Sequence, residues 1–435
     1  MLLGLQIYFV LSSLILFFYA LKNYKVAVFS FSYALGINII PLFWMPYYSM
    51  DIARIAGIPL AYLPIIASGV ALIIKSRLKI KKDFLILFLI MILFIGYTFV
   101  TTLVIHPFTV KNFVYWAAWP MNLLIFLGAI TFFSNTGETL AQAVIKSTAT
   151  ILIIGCIIGI FRYLLGINYD ANFMPVVNRN GTVIFTVMIT PLLFYLYSQR
   201  KINQKQFFLF LAIIFFTLLF IFSRSGIIGF LAGIILYYLK PSAKNLGKIF
   251  VITALVVMVF YSGIANKSLN RLERTMTTIN MLEKGEQLDS SMGDYHRVML
   301  LTIAVEIIKY NFWCGTGLGL ENYREAFHKV STNYSHDSKA HNFYVSYFAE
   351  LGLIGYCILM TILVLIYKQL APMNSKYRAF RVTFWVIAIM MTMNEYILLP
   401  EIWFYFGMLS GISYKYKKDK SYAIWLYRKK NFSFS

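Results

Sequence analysis

The sequence predicts an all-α, polytopic membrane helical bundle with one large external helical loop, and three observations carry that reading. Apolar runs of roughly 16 to 25 residues recur along nearly the whole chain. Basic residues gather in the short connectors between those runs. A single long polar segment, 265–341, interrupts the pattern. The 435 residues are 60% hydrophobic and only 13% charged, so a water-facing body of this size is excluded. A transmembrane β-barrel is excluded too, because it needs short alternating segments and these runs are continuous.

Taken in order, the expected spans fall at about 5–21, 26–44, 55–74, 84–105, 112–133, 143–165, 181–198, 207–222, 226–239, 249–264, 342–367, 382–399 and 401–414. The first lacks a basic leader and a small-residue cleavage site, so it reads as a retained helix. Most of the 39 Lys and Arg lie in connectors 22–25, 75–82, 200–205, 240–248 and 368–381 and in the tail 415–430. Placing these inside gives about 12 to 14 transmembrane helices, with the N-terminus out and the C-terminus in. Segment 265–341 holds as many acidic as basic residues and falls outside. The net charge of +22 therefore sets orientation and does not point to nucleic acid. Four regions follow: a first bundle, 1–264; the external loop with amphipathic helices, 265–341; the C-terminal spans, 342–414; and a basic cytoplasmic tail, 415–435, that reads as a surface-lying amphipathic segment.

Chemistry concentrates on one side of this layout. "FFLFLAIIFFTLLFIF" (207–222) and "GIIGFLAGIILYY" (226–238) are separated only by Ser223, Arg224 and Ser225. Sixteen helical residues rise about 24 Å, short of a roughly 30 Å hydrocarbon core. Arg224 is thus expected just beneath the outer face, at a cost of about 2–3 kcal/mol unless paired or hydrated. The same parity puts "NFMPVVNRNGT" (172–182), with Arg179, outside. "DYHRVMLLTIAVEIIKYNFW" (294–313) spaces Val298, Leu301, Ala304, Val305 and Ile308 as one apolar helix face. Asp294 is the expected N-cap. That leaves Arg297 in the first turn, where the helix dipole disfavours a cation unless an anion docks beside it. Three arginines suit a phosphate or diphosphate better than a single carboxylate. The plain alternatives are a solvated loop cation for Arg179 and structural roles for Arg224 and Arg297.

His341 opens the apolar run "AHNFYVSYFAELGLIG" (340–355), where a neutral imidazole meets both water and a buried cleft. Its ordinary pKa suits a base near neutrality; the alternative is a ring that merely helps Asn342 cap the helix. Glu350 lies nine residues on, about 900° around a regular helix. It points away from His341 and is expected to pair elsewhere in the bundle rather than orient the base. His106, His296, His328 and His336 have no metal-ligand spacing, and Asp289 and Asp294 are thin material for a divalent cation. Cys156, Cys314 and Cys357 are scattered and form no disulfide framework. "GTGLG" (315–319) lacks the strand of a nucleotide fingerprint. Asn394, Glu395 and Glu401 form a polar patch that could pair with an arginine or contact a sugar.

Four motifs in order, "NRNGT", "FSRSG", "HRVML…CGTGLG" and "AHNFYVSYFAELGLIG", make residues 170 to 365 resemble the O-antigen polymerase and O-antigen ligase superfamily of polytopic membrane glycosyltransferases. The resemblance implies a bacterial inner-membrane enzyme with its active site facing the periplasm. It implies a donor glycan on undecaprenyl diphosphate, joined to another carrier-linked repeat unit by a polymerase or to lipid A-core by a ligase. The family's essential histidine and two arginines fall on His341, Arg297 and Arg224. Arg179, Asn342, His296 and Glu350 are the expected substrate-binding residues. No cofactor or metal is expected, since arginines supply the charge that stabilises a leaving diphosphate. The expected partners are carrier-linked oligosaccharide, the lipid bilayer and a chain-length regulator protein. The wording of "HNFYVSYFAELGLIG" makes polymerase the first expectation and ligase the alternative. A glycolipid flippase, with the arginines lining a transport path, is the reading from a different class. A peptidoglycan-type polymerase would instead use a loop aspartate, for which Asp294 is the candidate.

Overall fold

Hydropathy decides the architecture, and the helices follow the apolar runs closely. The computed structural model describes residues 2–43, 54–55, 58–59, 63–76, 81–106, 109–136, 138–168, 170–173, 179–238, 295–331 and 339–432. The helices are α1 (Leu2–Lys22), α2 (Tyr24–Ile39), α3 (Leu63–Ser76), α4 (Leu85–Phe99), α5 (Val110–Phe133), α6 (Glu138–Leu164), α7 (Arg179–Ser198), α8 (Gln204–Phe220), α9 (Arg224–Tyr238), α10 (Tyr295–Tyr310), α11 (Leu320–Val330), α12 (Phe343–Gln369), α13 (Arg378–Met391) and α14 (Pro400–Phe432). Six helices among the described residues are long and apolar enough to cross a membrane, and α3, α8 and α9 are shorter apolar helices. The chain is a polytopic helical membrane protein. Every expected span falls on a helix except 249–264, which lies outside the described residues.

Three boundaries differ from the sequence reading. Where a span was expected from 55, a two-residue antiparallel ladder, β1 (Arg54–Ile55) with β2 (Ile58–Pro59), comes first and α3 starts at Leu63. The expected 382–399 span stops at Met391. The polar pair Asn394–Glu395 and the constraint Pro400 places on Leu399 favour a turn there, and Pro400 then opens α14 at the position where its missing N–H costs nothing. α14 itself runs past 414 to Phe432, so the last span and the basic tail form one helix.

The two ends of the bundle have different chemistry. At one end the basic connectors bind one another's carbonyls and carboxylates: Lys376 pairs with Glu138 at 2.7 Å, Lys415 donates to the Thr136 carbonyl at 3.0 Å, and Lys417 donates to that of Lys368 at 2.8 Å. At the other end stand the starts of α7, α9 and α12 and the turn 392–399. Between them the buried rings of Trp119, Phe126, Trp403 and Phe404 fill the centre.

Helices α10 and α11 are strapped to α12 where α12 breaks. Gly352 has φ +61° inside α12, so the helix changes direction there. The backbone groups released by the break are satisfied from the loop after α10: Leu353 N–H donates to the Phe312 carbonyl at 2.7 Å, and Thr316 N–H donates to that of Ala349 at 3.0 Å. A Cβ on Gly352 would lie 2.4 Å from both Gly315 N and the Trp313 carbonyl oxygen, so no side chain fits. Gly352→Ala is expected to cost roughly 2–4 kcal/mol, combining a left-handed φ with a backbone clash. Thermal unfolding of the purified protein in detergent checks this, and an unchanged Tm would show that the strap carries no load.

The buried face of α10 is a correction. Leu300, Ile303, Ala304 and Ile307 pack against Tyr323, Phe327 and Ala349, whereas Leu301 and Val305 are exposed. The inward face is rotated by one residue from the expected stripe. Both faces of "LLTIAVEII" are apolar, so the packing partners rather than the periodicity decide the rotation.

Candidate active site

The α8–α9 turn fixes Arg224. Phe222 takes a left-handed backbone (φ +55°), which reverses the chain. The Ser223 hydroxyl then accepts the Gly226 N–H at 3.1 Å and lies 3.1 Å from that of Ser225. This is N-capping, and it makes Arg224 the first residue of α9. The guanidinium-bearing residue is half-buried.

The strap before α7 brings its start to the same place. Asn172 N–H binds the Asp170 carboxylate at 3.0 Å, the Thr182 hydroxyl donates to the Asn172 amide oxygen, and Ala171 N–H reaches the Phe220 carbonyl at 3.2 Å. Arg179 therefore begins α7 next to the α8–α9 turn; its side chain lies outside the described ones, as does that of His296 in the first turn of α10. Asp289, Asp294 and His336 are outside the described residues altogether.

His341 occupies a left-handed position, φ +51°, uncommon for any residue but glycine. The turn is closed on its far side by Asn342, whose side chain accepts Val345 N–H at 3.2 Å and caps α12. The imidazole is open to solvent, yet enough protein surrounds it for desolvation to be the largest influence on its charge. Desolvation and Arg297 hold its pKa below the usual 6.5, while Glu395 and a hydrogen bond with Asn394 pull upward. Held below 6.5, the ring is mostly neutral at pH 7 and able to take a proton.

The turn 392–399 connects these pieces. Asn394 and Glu395 face His341, and Tyr396 of the same turn lies beside Ser225 and feels the charge of Arg297. His341, the exposed Arg297 on α10, and the Ser223–Arg224–Ser225 turn are thus gathered around residues 394–396. Far apart in the chain, they converge at the end of the bundle opposite the basic connectors.

Two participants were not singled out from the sequence. Lys339, two residues before His341, is buried, with its ammonium 2.5 Å from Glu350 and 3.6 Å from Glu395. Burial opposes that charge, but Glu350 and then Glu395 outweigh it and hold the ammonium above the usual lysine range. The second is Glu395 as a neighbour of the imidazole; a polar patch was visible there, but not its target. Glu350 is fully enclosed, with one carboxylate oxygen taken by Lys339 and, at 3.2 Å, by Gly319 N–H. It pairs within the protein, as one expectation had it, and is enclosed rather than in the substrate-facing place also expected for it. Glu401, also fully enclosed at the start of α14, does not reach solvent either.

One end of the polytopic helical bundle thus carries an open imidazole, two arginines and a carboxylate, beside the small unit formed by α10 and α11. Residues 208–360 match the family model described as O-antigen ligase, a match that supports the likeness to the O-antigen ligase and polymerase superfamily. The matched segment runs from α8 into α12 and contains Arg224, Arg297 and His341. No curated protein matches the chain.

Proposed function

We propose that the protein is a polysaccharide polymerase of O-antigen type, transferring a glycan from undecaprenyl diphosphate to a hydroxyl of another carrier-linked repeat at the periplasmic face. The observation that carries this reading is the convergence of His341 and Arg297 with the α9 start, which holds Arg224, around residues 394–396. The acceptor hydroxyl attacks the anomeric carbon, its proton passes to His341, and the bond from that carbon to the diphosphate oxygen breaks. Arg224 and Arg297 bind the diphosphate more tightly as its charge grows, which is stabilisation realised in the transition state. Glu395, beside the ring, steadies the imidazolium that forms.

The carrier's tail has a fitting place. An apolar cavity of about 260 Å³ between α12, α13 and α14 is lined by Tyr344, Leu363, Val364, Trp385, Ala388 and Met391. It starts where Tyr344 donates to the Ala388 carbonyl at 3.0 Å, one helical turn from His341, and continues down the helices. Sidedness follows from the basic connectors, which occupy the opposite end and belong inside.

Transfer to lipid A-core is the second reading, favoured by the description of the matching family. Purified protein given lipid-linked repeat as the only glycan is expected to build a ladder of longer glycans and release undecaprenyl diphosphate. Product formed only after lipid A-core is added would establish the ligase. Movement of intact lipid-linked glycan across vesicles with no new bond would replace both with a flippase.

A further inference from the structure

His341 is presented on a strained turn, and something must hold it there. A left-handed, non-glycine residue costs on the order of 1–3 kcal/mol unless its surroundings over-determine it. On the C-terminal side Asn342 caps α12. On the N-terminal side Lys339, two residues before the ring, is anchored from several directions. Its ammonium touches Glu350 of α12 and Glu395 of the 392–399 turn. It also bonds the Tyr115 hydroxyl of α5 and stacks 4.3 Å over that ring. Glu350 in turn grips Gly319 N–H, the residue from which α11 starts. One buried cation therefore ties together α5, α12, the external unit and the turn that faces the imidazole.

The arrangement also divides Lys339 between two carboxylates. Glu350 is remote from the imidazole's solvent-facing side and fully enclosed, whereas Glu395 faces the ring. The second Glu395 oxygen, Oε1, is buried with no hydrogen-bond partner. The more closely Lys339 engages Glu395, the less negative charge His341 experiences. We infer that Lys339 is a positioning residue for His341: it anchors the turn that presents the ring and, shared between Glu350 and Glu395, offsets the carboxylate facing it. The inference rests on the reading of His341 as the proton acceptor. Among the described residues, the other charged group acting on the ring is Arg297 from α10, and Asn394 of the turn hydrogen-bonds it; Tyr396 of that turn lies beside Ser225, and Arg224 begins the neighbouring α9.

The test is the pH dependence of kcat/KM for glycan transfer by purified full-length protein supplied with lipid-linked repeat. In the wild type the rate is level near neutrality and falls as acid protonates His341, below pH 6.5. Lys339→Met leaves Glu395 uncompensated, so the ring protonates more easily. The acid limb is expected to move to higher pH by about half a pH unit or more, with kcat at pH 7 down tenfold or more. Glu350→Gln releases Lys339 to Glu395, and the acid limb is expected to move the other way. Opposed displacements are what an ion pair with no electrostatic reach to His341 would not produce. Displacements in the same direction, or none, overturn the inference. If Lys339→Met does not accumulate, Glu350→Gln decides alone: a limb moved to lower pH supports the proposal, and an unmoved or raised limb ends it. An acid limb that survives His341→Gln unchanged would instead defeat the underlying reading of His341, whatever the Lys339 variants do.

Discussion

Cells carrying His341→Ala are expected to accumulate single lipid-linked repeats and make no polymer, with the protein present in the membrane at wild-type amounts. The ring is open to solvent, so its removal leaves no core cavity and the fold should survive. What is lost is the group that takes the acceptor's proton, a contribution of about 10²–10⁴ in rate. His341→Gln should fare no better, since an amide can hydrogen-bond but cannot accept a proton near neutrality. A glycan ladder on a gel, set beside an immunoblot of membranes, reads both quantities. Wild-type polymer length and amount in either variant would mean that the imidazole has no part in the chemistry.

The arginines provide the second large effect. Arg297→Ala is expected to reduce kcat by roughly 10²–10³, the scale of losing one donor that stabilises transition-state charge. Arg224→Lys should be strongly impaired as well, although charge is kept. A lysine offers a point charge in place of a planar fork and cannot reproduce two parallel bonds to diphosphate oxygens. Both losses should appear in kcat more than in KM, because the extra charge exists only as the diphosphate departs. Steady-state rates against donor concentration separate the two parameters. Full activity of Arg224→Lys would reduce that residue to a structural feature of the α8–α9 turn.

Much of this was written in the chain before any geometry. The order of spans, the short α8–α9 excursion and the placement of Arg179, Arg224, Arg297 and His341 on one side all follow from hydropathy and connector charge, which act over whole segments. Local choices between equal alternatives were not legible. α10 is apolar on two faces, and Tyr323 and Phe327 of α11 choose between them. The 382–399 run is apolar enough to continue, yet Asn394, Glu395 and Pro400 end the helix at Met391. The tail reads as a separate segment by charge, but nothing in "SYKYKKDK" breaks the helix. Within the site, the break at Gly352 and the left-handed turn at His341 bring Lys339, Glu350 and Glu395 into contact. Regular helical geometry from a sequence does not forecast that. "GTGLG", which resembles a nucleotide loop only in spelling, is there because Gly315, Gly317 and Gly319 all adopt positive φ where the external unit meets α4, α5 and α12.

The most direct measurement is a single turnover: purified protein in excess over lipid-linked repeat carrying a labelled glycan, with release of undecaprenyl diphosphate followed in time. The wild type is expected to release carrier and lengthen glycan in step, His341→Ala to bind the same donor without doing either, and Arg297→Ala to do both far more slowly. Equal release by wild type and His341→Ala would contradict the account at its centre.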